Sequence, residues 1–427
     1  MVVAAAGPSI GGVAEVWWGF PARRGGLLRG FRGVIGAHTD AILPRARSDS
    51  SMNEIVIVGN GVSGYACAAR LAANGAGVTM IGPGLPHDRP PLSKRALRTG
   101  RVPLLADAAQ LVERGIEHID GVVMAYDPDL RRLSIDDLSG DAALEVEAPT
   151  LVWASGLRYP KPPVPGFERA EENATGAGLV SLAERLAIPG RRVIVVGAGL
   201  IGTETAATLA AEHDVTLVDM LDRPLARLLP RVSDAARTAL DELGVHFLGS
   251  CKIDSATIDG DGAIIRTSTD GDLRADVVVS AAGFRTSLLP ELIAQDARSL
   301  TLAADERLRV NGHDSFWACG DCVSFPHPRW GRIAIPHWDH ALWSGRHVAD
   351  SILGSTTPYV REPYFFSDIG RLRIQQVGVG AAVVEWQEDD GLFVGRDLAG
   401  TTACVLLLNS PTRLLEAREL VASDSIS

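Results

Sequence analysis

Among its 427 residues the chain has no uncharged apolar stretch approaching the ~18 residues a membrane-spanning helix requires, so no such helix is expected. Cysteine is scarce. The five cysteines, at 67, 251, 319, 322 and 404, are odd in number and scattered, which suits a reducing, cytoplasmic setting rather than a disulfide framework. Positive charge is short as well. The 41 Lys and Arg against 52 Asp and Glu leave a net charge of −11, which argues against nucleic acid or an anionic membrane as the main partner. Short internal repeats are also missing, apart from one duplication, and the length allows two or three domains.

The duplicated feature is a glycine fingerprint. Gly59-Asn60-Gly61-Val62-Ser63-Gly64 and Gly197-Ala198-Gly199-Leu200-Ile201-Gly202 lie 138 residues apart (197 minus 59), each directly after a short β-branched run. Residues 54–58 suit a buried parallel strand and residues 65–71 an Ala-rich helix; the second copy repeats the plan with a strand at 192–196 and a helix at 203–212. In such a joint the first glycine permits a tight turn and the second lets the backbone approach a pyrophosphate. The third lets helix and strand pack closely, and the helix N-terminus offers N–H groups and positive dipole to the phosphates. A lone copy is as well read as an ordinary glycine turn. Two copies, each with strand before and helix after, describe a chain that holds two dinucleotides at once, as passing a hydride between them requires.

The copies differ where their second strands end. Residues 215–218 run into Asp219, 22 residues after Gly197, the position that accepts hydrogen bonds from an adenosine ribose. No Arg stands at 220 or 221 to receive a 2′-phosphate, so NADH is favoured over NADPH, unless Asp219 merely ends a strand. The matching stretch of the first copy ends in Gly82-Pro83-Gly84 with no carboxylate, which leaves its ribose anchor open.

Residues 1–51 look foreign to the rest, with six Arg against three acids and Trp17-Trp18 without sustained periodicity. They are expected to be a disordered extension or the product of a start codon placed too early, with Met52 the natural beginning; an Arg-rich targeting peptide is the other reading. Residues 159–166, with Pro160, Pro162, Pro163 and Pro165, form a stiff connector that cannot be helix or central strand. A second nucleotide-binding unit runs from there to about residue 282, and the chain returns to the first unit through residues 316–321. A third unit begins after residues 354–358, with strand-like runs at 372–379 and 403–408 and a helix over 411–422.

Several further blocks carry a resemblance. They are His87-Asp88 followed by Arg89-Pro90-Pro91-Leu92-Ser93-Lys94; Ala154-Ser155-Gly156; Cys319-Gly320-Asp321-Cys322; His337-Trp338 followed by Ala341; and residues 362–368. Over about residues 53–422 the chain resembles the FAD-dependent pyridine nucleotide-disulfide oxidoreductases, and among them the ferredoxin reductases that serve bacterial oxygenases and cytochromes P450; Ser155 stands where that group has Thr. The fold implied is α/β, with two Rossmann-like dinucleotide-binding domains. An FAD-binding domain (53–165 and 284–354) is interrupted by an NAD-binding domain (166–283) and followed by a small C-terminal α+β domain (355–427), with 1–52 as the extension. The cofactors implied are FAD and NADH. With the fingerprints included, the candidate cofactor-binding residues are Gly59, Gly61, Gly64, Arg89, Lys94, Ala154, Ser155, Gly156, Gly197, Gly199, Gly202, Asp219, Gly283, Gly320, Asp321, His337 and Trp338.

Hydride transfer needs the nicotinamide stacked on the flavin with little water between them, so the protein's part is positioning and electrostatics. The resemblance implies that Lys94 approaches the flavin, where a cation stabilises the anionic reduced form, and that Glu204, in the first turn of its helix, faces the nicotinamide and pairs with Lys94. These two are the candidate catalytic residues, although each alone reads equally as a solvated helix-end charge. Asp321 is placed to accept from ribityl hydroxyls and Trp338 to pack near the flavin ring.

Two patterns invite other chemistry. Cys319 and Cys322 form a C-x-x-C, but its Gly-Asp centre is explained by FAD binding and no paired cysteines follow the first fingerprint, so electrons are expected to leave the flavin directly. His337, Asp339, His340 and His347 suggest a metal by spacing, yet no cysteine or carboxylate set completes a site, and none is expected.

The function implied is passage of electrons from NADH through FAD to a ferredoxin-type iron–sulfur protein serving an oxygenase or cytochrome P450. The protein carrying it out is expected to be a monomer or homodimer without nucleic-acid or membrane partners. Such ferredoxins are usually acidic, which makes Arg329, Arg332, Arg361, Arg371 and Arg373 candidates for a basic docking face, against the reading that they are scattered surface arginines. Two alternatives stand beside it: an NADH oxidase or a reductase of a quinone or disulfide, and an NADH-sensing flavoprotein whose association changes on reduction.

Overall fold

Residues 3–4 and 54–423 are described by the computed structural model, apart from 141–142, 159–160, 173–174, 260–261, 287–288 and 290–300. The expected extension at 1–52 lies outside the described residues except for Val3–Ala4, which pairs antiparallel with Ile333 and Ala334.

The first fingerprint sits at the centre of a five-stranded sheet. Its order is Phe316–Ala318, Thr150–Trp153, Ile55–Val58, Val78–Ile81 and Ile116–Ile119, every neighbour parallel. Because strand side chains alternate between faces, Ile55 and Ile57 pack with Cys67 and Leu71 of the helix Val62–Ala73 and with Val348 and Ala349 of the helix Trp338–Ile352. Val56 and Val58 point the other way, onto Tyr126, Leu133 and Ile135 of a three-stranded antiparallel sheet. Both faces of the central strand are therefore covered, which is why it reads as an unbroken apolar run.

The second fingerprint repeats this plan on four parallel strands, ordered His246–Leu248, Asp214–Val218, Arg192–Val196 and Val277–Ser280. It too carries a three-stranded antiparallel sheet, Ile253–Ile258, Ala263–Thr267 and Asp272–Ala275. Where the chain enters and leaves this inserted unit, Leu157–Arg158 and Arg285–Thr286 pair antiparallel and tie its neck.

After residue 363 a five-stranded antiparallel sheet follows in the order Tyr364–Ile369, Leu372–Gly378, Thr402–Leu408, Leu392–Arg396 and Glu385–Asp389. The helix Leu414–Ser423 packs Ala417 and Val421 against its Val377, Val405 and Leu407. Sequence reading finds two of these strands and the helix but not the other three strands, nor the two small antiparallel sheets. Most of those strands are exposed on one side, so they lack the continuous apolar signal of the parallel ones.

Candidate active site

Both glycine loops have the same construction. Gly59 has φ +112° and a Cβ there would stand 2.2 Å from Ala154 O; Gly197 has φ +104° and its Cβ would stand 2.6 Å from Ala281 O. At the third glycines the obstacle is the loop itself, since a Cβ on Gly64 would meet Gly59 O at 1.9 Å and one on Gly202 would meet Gly197 O at 1.7 Å. Nothing lies within 4 Å of a Cβ on the middle glycines, Gly61 and Gly199, so the loop is bare on that side. The helices that follow, Val62–Ala73 and Leu200–Leu209, have neither a capping side chain nor an acid in the first turn. Each thus presents an open cradle of backbone N–H groups at a positive helix end, the arrangement that suits a pyrophosphate. Beside each cradle runs a matching strand end: Ala154-Ser155-Gly156 next to the first, Ala281-Ala282-Gly283 next to the second, with Gly156 and Gly283 both at positive φ.

Asp219 follows directly on the strand Asp214–Val218, and its carboxylate is held in place by the backbone. Oδ2 accepts from the Ala198 N–H at 2.5 Å and Oδ1 from the Leu221 N–H at 2.8 Å. Beyond it Met220 and Leu221 are exposed.

Glu204 is the fifth residue of its helix, not in the first turn as sequence reading expects, and it is buried. Lys94 Nζ lies 3.1 Å from Glu204 Oε1 and 3.4 Å from Asp368 Oδ2, and stands 5.2 Å over the Phe366 ring. Glu204 also accepts from Ser93 Oγ and Ser367 Oγ, both at 2.6 Å, and from the Asp368 N–H at 3.1 Å. One ammonium, two hydroxyls and one amide thus surround the carboxylate, three of them at Oε1. Three places meet here: the turn and loop at residues 90–94, between the strands Val78–Ile81 and Ile116–Ile119 of the first nucleotide fold, the helix of the second fold that carries Glu204, and the first strand of the C-terminal sheet. Thr208 Oγ1 adds a bond to Ser93 O at 2.9 Å. Sequence reading brings Lys94 and Glu204 together but misses Ser367 and Asp368, which it meets only as the opening of another domain.

Asp321 lies on the turn Gly320–Cys322, with Arg89 Nη1 3.7 Å from its Oδ2. Its Oδ1 is buried without a hydrogen-bond partner among the described residues, and burial raises its carboxyl above the ordinary value. A ligand with hydroxyl donors would satisfy that oxygen, as a ribityl chain does, so these residues fit a flavin. Trp338 Nε1 donates to Asp88 Oδ1 at 2.9 Å, joining the helix Trp338–Ile352 to the loop before Arg89. His337 caps that helix, accepting from the Asp339 N–H at 3.3 Å, and burial pushes its imidazole down to about 3, so the ring is neutral. Ser155 Oγ accepts from Trp153 Nε1 at 2.8 Å.

The two competing patterns find other employment. Cys319 and Cys322 are free and buried, burial pushes Cys322 up to about 11, and the Cys322 thiol donates to Cys319 O at 3.3 Å; neither is poised as a thiolate. His340 Nδ1 meets the Tyr359 hydroxyl at 3.0 Å, and its ring stacks on Phe325 at 5.5 Å. Among the described residues no group of three or more His, Cys, Asp or Glu could hold a metal ion. Four of the five docking arginines are engaged within the fold. Arg329 reaches the Thr402 and Val421 carbonyls, Arg332 the Ala304 and Ser324 carbonyls, Arg361 the Asp339 carboxylate and Arg373 the Asp368 carboxylate. Clustering in sequence therefore does not make them a free basic face. No helix among the described residues is long and apolar enough to cross a membrane.

Known proteins resemble the chain over most of its length. Residues 53–345 match the family of pyridine nucleotide-disulphide oxidoreductases. Rhodocoxin reductase of Rhodococcus erythropolis is 30% identical over 400 residues, covering 87% of this chain and 90% of that protein. The ferredoxin reductase component of a chlorobenzene dioxygenase from a Cupriavidus species is 30% identical over 402 residues, covering 86% and 93%. Among solved structures, the ferredoxin reductase for the CYP199A2 system from Rhodopseudomonas palustris superposes with a TM-score of 0.74 at 26% identity, over 84% of this chain and 91% of that one. Two open glycine-loop cradles, a lysine held by a buried glutamate and likeness to these reductases over most of its length lead to one statement: the chain belongs to the pyridine nucleotide-disulphide oxidoreductase family.

Proposed function

We propose that this protein is an NADH-dependent flavoprotein reductase that passes electrons from NADH through FAD to a ferredoxin-type iron–sulfur protein serving an oxygenase or cytochrome P450. The observation that carries the reading is Lys94, held by Glu204 and Asp368 where both nucleotide folds and the C-terminal sheet meet. Relatives that span nearly their whole length with this chain are named as reductases of this kind.

In this reading residues 53–165 and 284–354 bind FAD, 166–283 bind NADH and 355–427 complete the site. Gly61 and Gly199 leave room for the two pyrophosphates. Arg89 and Asp321 hold the flavin side, and Asp219 accepts from the ribose of NADH. Bound FAD supplies a two-electron acceptor that can release electrons singly. Lys94 keeps a positive charge beside it, and Glu204 fixes the ammonium in one place, so the electrostatic field exists before the nicotinamide arrives. Trp338, tethered by Asp88, fills space that water would otherwise take. The buried, protonated thiols offer no sulfur relay, and five unpaired cysteines support a reducing, cytoplasmic setting.

The test is stopped-flow mixing of the purified holoprotein with NADH or NADPH, then with candidate ferredoxins. The expected result is flavin bleaching that prefers NADH, followed by reoxidation that a ferredoxin accelerates well beyond oxygen. A protein without flavin, or one whose reduced flavin is reoxidised fast by oxygen and no faster by any ferredoxin, overturns the proposal.

A further inference from the structure

The missing carboxylate of the first fingerprint has a replacement in the fold. Gly82 and Asp219 are counterparts: strand Ile55–Val58 runs in register with Val78–Ile81 as Arg192–Val196 does with Asp214–Val218, and each residue follows directly on the second strand. Asn60 and Ala198 are counterparts too, each just after the first glycine. In the second copy a side chain crosses from strand end to loop, Asp219 Oδ2 accepting from the Ala198 N–H at 2.5 Å. In the first copy the crossing runs in reverse. Buried Asn60 sends its amide from the loop to the strand end, Nδ2 donating to Pro83 O at 3.1 Å and to Gly84 O at 2.6 Å.

The two exchanges depend on each other. A Cβ on Gly82 would stand 2.6 Å from both Cγ and Oδ1 of Asn60, so the amide occupies the room in which a side chain at 82 would begin. The donors of Asn60 are taken, while among the described residues nothing donates to its Oδ1. That oxygen is a neutral acceptor standing where the other copy places a carboxylate. Asp120 supports the same turn from the next strand, its Oδ1 accepting from the Gly84 N–H at 2.8 Å.

We propose that Asn60 is the adenosine-side anchor of the flavin site, its Nδ2 closing the 83–84 turn and its Oδ1 accepting a ribose hydroxyl in place of the absent acid. The inference rests on FAD occupying the first nucleotide fold. It makes the two sites of this chain chemically distinct, with a neutral, swappable contact for FAD and a charged one for NADH.

Release of FAD from the holoprotein, followed by recovery of flavin fluorescence, tests it alongside FAD analogues lacking the adenosine 2′- or 3′-hydroxyl. The unaltered protein should release at least one analogue about five- to tenfold faster than FAD, as loss of one neutral hydrogen bond predicts. Asn60→Ala should release FAD roughly tenfold faster and no longer distinguish it from the analogue, whereas Asp120→Asn should still distinguish them. If Asn60→Ala fails to accumulate, Gly82→Ala, whose methyl group pushes the same amide aside, should show the same loss of discrimination. Discrimination that is absent in the unaltered protein, survives removal of Asn60 or disappears with Asp120 overturns the proposal. A protein that never binds FAD fails at the earlier step and is told apart by its lack of colour.

Discussion

Replacing Asp219 with Ala tests the nicotinamide side at a single carboxylate. In the structure its two oxygens already accept from the Ala198 and Leu221 N–H groups, which fixes the group without exhausting its roughly four acceptor sites. A hydrogen bond from a ribose hydroxyl to a charged acceptor is worth ~1.5–3 kcal/mol, so losing one at about 2 kcal/mol weakens NADH binding roughly 30-fold. The orphaned Ala198 amide acts in the same direction by loosening the cradle. NADPH should suffer no such loss, because its 2′-phosphate gains from removal of a like charge. Adding Met220→Arg should then reverse the preference: Met220 is 74% exposed, so an arginine there costs little packing and reaches a phosphate from solvent. The assay is the rate of flavin reduction against NADH and NADPH concentration, with the flavin content of each variant measured first. An Asp219→Ala protein whose half-saturating NADH stays within about threefold of the parent refutes the reasoning, as does a preference for NADH that survives the double change.

Glu204→Gln keeps the shape of the junction but removes the nearer counter-charge of Lys94, and no amide can accept at both ends from Ser93, Ser367 and the Asp368 N–H. Flavin reduction by NADH should fall ~10–100-fold while FAD stays bound, and an unchanged rate in stopped flow counts against the role of the pair. Acid should destabilise the fold through its buried histidines. Burial pushes His327 and His340 from the ordinary 6.5 down to about 4, so both are neutral when folded and protonate more readily when unfolded. Their contribution is therefore complete above pH ~6.5 and is lost as pH falls towards ~4, by up to about 3 kcal/mol for fully buried His340 and by less for His327, which solvent partly screens. Thermal unfolding followed across pH 7 to 4.5 should show this decline, lessened in His340→Gln, and a flat profile contradicts it.

The parallel halves of the fold are legible because their strands are covered on both faces: Ile55–Val58 and Arg192–Val196 are apolar at nearly every position, and the glycines mark the turn that follows. The small antiparallel sheets escape notice because Gly121–Asp127 and Ile253–Ile258 bury only alternate residues or fewer. The arginines mislead for a related reason, since nearness in sequence says nothing about whether a guanidinium already has a carbonyl or carboxylate partner.

From the sequence came the two glycine loops and the carboxylate of Asp219 at a strand end, and from the resemblance the pairing of Lys94 with Glu204. The first two follow from local backbone geometry, in which a glycine spacing and a strand length decide where the loop and the carboxylate stand. Tertiary structure alone decided that Ser367 and Asp368 join that pair and that Asn60 fills the room beside Gly82. Such groups meet only when separate sheets pack, 163 residues apart for Ser367 and Glu204, and no periodicity along the chain encodes a contact over that distance.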